Sequence, residues 1–183
     1  MVNHITLLID ESGSMGPHTT EARAAITSLL KGVDKSNHIK LIFFDDANYR
    51  VIQDCLGSDV VPEIAALYKP RGGTPITDAV YKSIQDSSLQ TTDIRQLDEK
   101  HKTIIFTDGE ENSSKYSGPE DLGRAIEHLT ENFGWDFQFI GPKNCERGIL
   151  NYTNSIKIKR ENVTLYSDMS EGLKAMENQV VNA

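Results

Sequence analysis

The stretch Asp10-Glu11-Ser12-Gly13-Ser14 directly follows the apolar run Ile5-Thr6-Leu7-Leu8-Ile9. A continuous apolar run of this length predicts a strand that is buried on both faces, as in a parallel sheet. Beyond that strand, an acid and two hydroxyls at alternate positions place three oxygen donors close together. Clusters of oxygen ligands suit hard cations such as Mg²⁺, Mn²⁺ or Ca²⁺. We therefore predict a cation site where the first strand ends.

A second apolar run, Thr103-Ile104-Ile105-Phe106-Thr107, ends in the same way, in Asp108-Gly109. Parallel strands that each end in an aspartate define one crevice at the carboxyl edge of a sheet. In open α/β sheets, ligands bind outside the carboxyl ends of the strands, where the winding direction reverses. Asp10 and Asp108 are both placed for that crevice.

Strand and helix patterns alternate along the whole chain, which predicts an α/β fold with a mostly parallel central sheet and helices on both faces. The segment Ile39–Phe44 and the returning segment Tyr49–Gln53 are joined by too few residues for a helical crossover, so they predict an antiparallel hairpin. With 183 residues and no visible linker, residues 1–183 are expected to form a single domain.

Shorter patterns predict the remaining elements. Thr74 before Pro75 is typical of a helix N-cap, Ser117 with Glu120 resembles a capping box, and Asp168 with Glu171 marks the start of a last helix. The other expectations are a short helix at Val60–Tyr68, a polar surface connection at Ser87–Lys100, a strand at Trp135–Ile140 and an edge strand at Ser155–Lys159.

Composition excludes several classes of protein. The net charge of −8 and a pI near 5.1 argue against non-specific nucleic-acid binding. No apolar run approaches the roughly 20 residues of a membrane span, and no signal peptide is visible, so we predict a cytoplasmic protein without membrane contact. Cys55 and Cys145 are expected to be free thiols. The five histidines show no zinc-binding helical spacing.

Three motifs together resemble the metal-ion-dependent adhesion site of von Willebrand factor A (VWA) domains. They are Asp10-x-Ser12-x-Ser14, Thr74 within Gly72-Gly73-Thr74-Pro75, and Asp108 within Thr107-Asp108-Gly109. The resemblance covers essentially the whole chain. The contexts at residues 105–112 and 134–141 resemble stand-alone bacterial and phage VWA proteins more than integrin inserted domains. The resemblance implies a three-layer Rossmann-like fold with one antiparallel edge strand.

The resemblance also implies a role for each motif residue. Ser12, Ser14 and Thr74 would face the cation through hydroxyl oxygens, and Asp10 and Asp108 would supply negative charge, often through water. One coordination position would stay open for a carboxylate of a protein partner. Mg²⁺ retains water readily and fits such a site, with Mn²⁺ or Ca²⁺ as alternatives. The implied function is a metal-dependent protein-interaction module without catalytic residues.

Other interpretations of the same residues remain open at this level. Ser12, Ser14 and Thr74 could cap helices, and Asp108 could be an ordinary turn residue. Glu11, Glu110 and Glu111 lie in the same loops, either around the cation or as solvated surface.

Other functions also remain open. A structural or assembly protein with the metal as a staple is one alternative. A Mg²⁺-dependent phosphotransferase-like enzyme is another, although Ser12 stands where that chemistry needs a second aspartate. The sequence does not identify the partner or the oligomeric state.

Overall fold

The computed structural model describes residues 3–90 and 99–183, without the side chains of residues 88–90. Within these ranges it contains β1 (Asn3–Asp10), α1 (Thr19–Gly32), β2 (His38–Phe44), β3 (Tyr49–Leu56), α2 (Ile76–Gln90), β4 (Lys100–Phe106), α3 (Pro119–Phe133), β5 (Asp136–Pro142), α4 (Glu146–Ser155), β6 (Val163–Tyr166) and α5 (Met169–Val181). No helix in these ranges is long and apolar enough to cross a membrane.

The strands form one six-stranded sheet in the order β3-β2-β1-β4-β5-β6. Every neighbouring pair is parallel except β2 and β3, which form the predicted antiparallel hairpin at one edge. In the register, Asp10 pairs with Phe44 of β2, and Ile9 pairs with Phe106 of β4. The carboxyl ends of β1 and β4 therefore lie side by side at the middle of the sheet, which confirms the predicted fold class.

Both faces of the sheet are covered by helices. Leu7 and Leu8 are adjacent in β1 and both fully buried, because their side chains point to opposite faces. The Leu7 face packs against α1 and α5, and the Leu8 face packs against α2, α3 and α4. Burial on both sides explains why β1, β2 and β4 are recognisable as continuous apolar runs.

A ladder of four rings crosses the amino ends of the strands. His4 on β1 lies between His38 on β2 and His101 on β4, with ring centroids 5.1 and 4.8 Å away. His101 stacks in turn on Trp135, which directly precedes β5, at 4.4 Å and an interplanar angle of 12°. This ring ladder is at the end of the sheet opposite Asp10 and Asp108.

The predicted edge strand at Ser155–Lys159 is wrong. Ser155 ends α4, and the chain then turns, with Lys157 in a left-handed conformation at φ 65°. The amides of Lys157 and Ile158 donate to carbonyls of α4, so they close the helix rather than pair with a strand. Ile156 and Ile158 are buried in the core, which produced the strand-like alternation. The edge strand is β6 instead, parallel to β5.

Of three shorter predictions, two need correction. Ser117 forms no capping box, since α3 is preceded by Gly118 with no side-chain cap. The short helix predicted at Val60–Tyr68 is present as a 3₁₀ helix at Pro62–Leu67. The connection predicted at Ser87–Lys100 starts later than expected, because α2 continues to Gln90, and residues 91–98 lie outside the described ranges.

Two other local predictions are confirmed. Asp168 caps α5 by accepting a hydrogen bond from the Glu171 amide at 3.0 Å. Cys55 and Cys145 are unpaired.

Candidate metal centre

Asp10 lies at the end of β1 with its carboxylate fully buried. The amide of Ser12 donates to Asp10 Oδ1 at 2.7 Å, and the hydroxyl of Thr107 donates to Asp10 Oδ2 at 2.6 Å. Burial raises the pKa of Asp10 to about 6, against the opposing effect of these hydrogen bonds. The carboxylate is therefore held rigidly in a place where its charge is poorly solvated.

A line of hydroxyls connects the β1 loop to the β4 loop. Ser12 Oγ and Ser14 Oγ are 3.1 Å apart, and Ser14 Oγ donates to Asp108 Oδ1 at 2.8 Å. Burial raises the pKa of Asp108, against the opposing effect of the hydrogen bond from Ser14. Four of the five predicted ligands, Asp10, Ser12, Ser14 and Asp108, are thus joined through direct hydrogen bonds.

Thr74 is buried and lies on a third loop. Its amide donates to Asn112 Oδ1 at 2.9 Å, and its carbonyl accepts from the Asn112 amide at 3.1 Å. The same loop reaches the β1 loop, because the Gly13 amide donates to the Gly72 carbonyl at 2.9 Å. In the described part of the chain, the Thr74 hydroxyl makes no hydrogen bond, either with the other four candidates or elsewhere.

The predicted N-cap role of Thr74 is not observed, because Glu111 and Ser114 occupy that role. The helix α2 begins at Ile76, and Glu111 Oε2 accepts from the Thr77 amide at 2.7 Å, while Ser114 Oγ accepts from the Asp78 amide at 3.1 Å. Glu111 also accepts from the amides of Ser113 and Ser114 at 3.0 and 2.8 Å. The Thr74 hydroxyl therefore remains available to a ligand.

Glu11 is a buried member of the same loops. Its side chain is fully buried and accepts from Arg50 Nη2 at 2.6 and 2.7 Å and from the Lys69 amide. The Glu11 carbonyl also accepts from the Arg71 amide at 2.7 Å. Glu11 therefore fixes the segment before Thr74 to the end of β1. Of the three acids that the sequence left open, Glu110 alone is exposed.

Two buried tyrosines support the centre from inside the protein. Tyr68 donates its hydroxyl to the Asp10 carbonyl at 2.6 Å, and Tyr166 donates to the Thr107 carbonyl at 2.9 Å. They fix the backbone where β1 and β4 end. Sequence reasoning missed both tyrosines, since nothing local marks a phenol that bonds to a carbonyl 58 or 59 residues away.

The donor set fits a hard divalent cation. Its side chains offer hydroxyl and carboxylate oxygens, and no cysteine or histidine belongs to it. Across the described ranges, no group of three or more His, Cys, Asp or Glu side chains could hold a metal ion. A cation here would therefore meet two carboxylates and three hydroxyls rather than an acidic cage.

The fold has counterparts among solved structures. A search of curated proteins found no match. Solved structures with similar folds include a von Willebrand factor type A protein from Catenulispora acidiphila, at TM-score 0.69 and 16% identity, covering 98% of this chain and 42% of that one. The pilus adhesin SpaC from Lactobacillus rhamnosus GG, in its open conformation, matches at TM-score 0.73 and 14% identity, over 98% of this chain and 29% of that one.

A third similar structure contains a metal. Proximal thread matrix protein 1 from the mussel byssus, solved with a zinc-occupied adhesion-site motif, matches at TM-score 0.68 and 16% identity, over 98% of this chain and 44% of that one. This chain thus spans less than half the length of each of the three proteins, and at such identities the likeness shows the fold alone. The family model for the von Willebrand factor type A domain matches residues 4–179, and the chain therefore belongs to the von Willebrand factor type A domain family.

Proposed function

We propose that this domain binds a divalent cation at Asp10, Ser12, Ser14, Thr74 and Asp108, and binds a carboxylate of a protein partner through that cation. The observation that carries the proposal is the hydroxyl of Thr74, which makes no hydrogen bond within the described ranges and lies on a loop tied to the Ser12–Asp108 chain of hydrogen bonds.

The charges explain why the cation would recognise a carboxylate. Both oxygens of Asp10 already accept hydrogen bonds, from Ser12 and Thr107, so Asp10 suits a role through bound water. Neutral hydroxyls then supply the direct ligands, and the cation keeps much of its positive charge. An anionic oxygen from a partner is the ligand that such a cation favours. Mg²⁺ is our leading candidate, because it keeps several waters and takes few carboxylates.

Proteins of similar structure support a metal-dependent interaction function. The mussel protein carries zinc in its adhesion-site motif, and SpaC is described as a pilus adhesin. The family to which this chain belongs consists mostly of interaction modules. We propose no catalytic role, since Ser12 occupies the position at which a phosphotransferase would need its second acid.

The staple alternative is less well supported, because the three loops are already fastened without a metal. Glu11 ties the segment before Thr74 to the end of β1 by accepting from the amides of Lys69 and Arg71, and Glu111 ties the loop after β4 to α2. A cation is not needed to hold these loops together, so its value lies in what it binds.

The test begins with calorimetric titration of Mg²⁺ into the full chain and into the Ser14→Ala variant. We expect binding to the wild type and binding at least tenfold weaker in the variant. A second titration then uses immobilised protein and acetylated peptides with a central Asp, paired with the same peptides carrying Asn. Preference for Asp in Mg²⁺ that disappears in EDTA supports the proposal. Equal binding of the Asp and Asn peptides would contradict it.

A further inference from the structure

A pocket of about 340 Å³ lies next to the metal centre. It is bounded by the turn between β2 and β3, the first turns of α2, and the loop at residues 113–117. Pro75 lines it, and Pro75 directly follows the candidate ligand Thr74. The two sites therefore adjoin along the backbone of one loop. The pocket is at the small end of the usual range for ligand sites, which suits a single side chain.

The walls of the pocket are partly aromatic. Tyr49, Tyr81 and Tyr116 line it, with the small residues Ala47 and Ala79 leaving the space between them. Tyr116 is 91% exposed, which is unusual for so large a ring. Aromatic rings that enter such a pocket gain from offset or edge-to-face contacts beyond the area they bury.

Two of the three acids in this pocket are already engaged. Asp45 accepts from Arg71 Nε at 2.9 Å, and Asp78 accepts from the amides at residues 115–117. The third acid, Asp46, lies in the field of Arg71.

The two lysines of the pocket differ in their contacts. Lys82 is over the Tyr49 ring, 5.1 Å from its centroid, and 3.4 Å from Asp86. Lys115 is exposed and has no ion pair within the described ranges. The three acids and two lysines that line the pocket carry a formal charge of −1.

We propose that this pocket receives an aromatic side chain of the protein partner, within a few residues of the carboxylate bound at the metal. The inference rests on the proposed function, since the metal fixes the partner's position. An extended chain advances about 3.3–3.6 Å per residue, so a side chain a few residues from the carboxylate reaches a neighbouring pocket. Aromatic anchors in pockets are frequent centres of binding energy at protein interfaces.

The test uses a library of acetylated nonapeptides with Asp fixed at the centre and every other position randomised. The full chain selects from it in Mg²⁺. We expect Tyr, Phe or Trp to be enriched several-fold at one fixed distance from the Asp. The variant Ala47→Trp fills the pocket from an exposed position and is expected to lose this enrichment. The matched control, Ala24→Trp, adds the same side chain at an exposed site on α1 and is expected to keep it. Calorimetry with Mg²⁺ checks that the metal centre is intact in both variants.

Two outcomes separate this inference from the proposed function. Selection of the Asp in Mg²⁺ without aromatic enrichment, or with enrichment that survives Ala47→Trp, overturns the pocket and leaves the metal function in place. Loss of all Asp selection overturns the metal function. In that case N-acetyl-tyrosinamide in EDTA tests the pocket alone: amide chemical shifts at Asn48 and Gln85 are expected to move in the wild type and stay fixed in Ala47→Trp. Unmoved shifts in the wild type overturn the pocket.

Discussion

At the scale of single residues, Thr74 does not cap the helix that follows it, and Glu111 does. A threonine before a proline is typical of a helix cap, yet here a glutamate from a distant loop caps α2. Its carboxylate joins that helix to the loop after β4, while the threonine hydroxyl makes no hydrogen bond within the described ranges. We therefore expect Glu111 to contribute to the stability of the fold and Thr74 to contribute to cation binding.

The Thr74→Val variant tests this separation. Valine has the same shape without the hydroxyl, and that hydroxyl makes no hydrogen bond within the described ranges. We expect Mg²⁺ affinity to fall at least tenfold, about 1.4 kcal/mol, while the free energy of unfolding in EDTA changes by less than about 1 kcal/mol. Calorimetry and urea unfolding measure the two quantities. Thr74→Ser keeps the hydroxyl and serves as the control. Unchanged affinity in the valine variant would remove Thr74 from the site.

The Glu111→Ala variant has the opposite expectation. It leaves the amides of Thr77, Ser113 and Ser114 without their acceptor, so we expect a loss of about 1.5–3 kcal/mol in the free energy of unfolding. Urea unfolding in EDTA measures it. The neighbouring exposed acid offers a matched control, and Glu110→Ala should change stability by no more than about 0.5 kcal/mol. Equal effects of the two substitutions would show that Glu111 is not a structural cap.

At the scale of elements, the ring ladder at the amino ends of the strands makes stability depend on pH. Burial, together with the neighbouring His4, lowers the pKa of His101 to about 4, against a pull in the other direction from Glu99. An unfolded histidine has a pKa near 6.5. Between pH 6.5 and 4, the unfolded chain therefore binds a proton at His101 that the folded chain does not bind. The contribution of His101 to the free energy of unfolding is complete above pH 6.5 and is lost as the pH falls toward 4.

We expect the free energy of unfolding to fall by about 1–2 kcal/mol from this residue between pH 7.5 and 5, a range that allows for partial solvent screening of the ring. The variant His101→Phe retains a ring between His4 and Trp135 and cannot titrate. Its stability should fall less over the same range. Urea unfolding of both proteins at several pH values measures the difference, in which contributions from other groups cancel. Parallel pH profiles would contradict the expectation.

The elements that the sequence predicted well are those buried on both faces. Strands β1, β2 and β4 give long apolar runs, and their order fixes the crevice. Strand β6 escaped prediction, because it has only 4 residues and only its two ends are buried, which leaves no periodic pattern. In the site, the motif residues could be predicted by type and order. The pairing of Glu11 with Arg50 and the tyrosine contacts could not, since they join segments that meet only in the folded chain.

At the scale of the whole molecule, two poorly solvated carboxylates in one crevice link the stability of the fold to the proposed cation. Binding of Mg²⁺ is expected to relieve their repulsion and to stabilise the folded state by mass action, by about 2.7 kcal/mol at a hundredfold excess over the dissociation constant. The melting temperature should rise with Mg²⁺ concentration. Because both faces of the sheet are packed without any metal, the domain should stay folded in EDTA, as circular dichroism would show. Unfolding on chelation would make the cation structural.

The ring ladder also determines how the tryptophan fluorescence of this protein responds to pH. Trp135 is the single tryptophan of the chain, and it rests on His101 at the end of the sheet remote from the cation crevice. A neutral imidazole quenches indole emission weakly, whereas a protonated one quenches it strongly. The emission should therefore dim as the solution is acidified and stay constant while Mg²⁺ is added. The fluorescence of Trp135 thus reports the acid-sensitive end of the sheet and does not report the crevice at the opposite end.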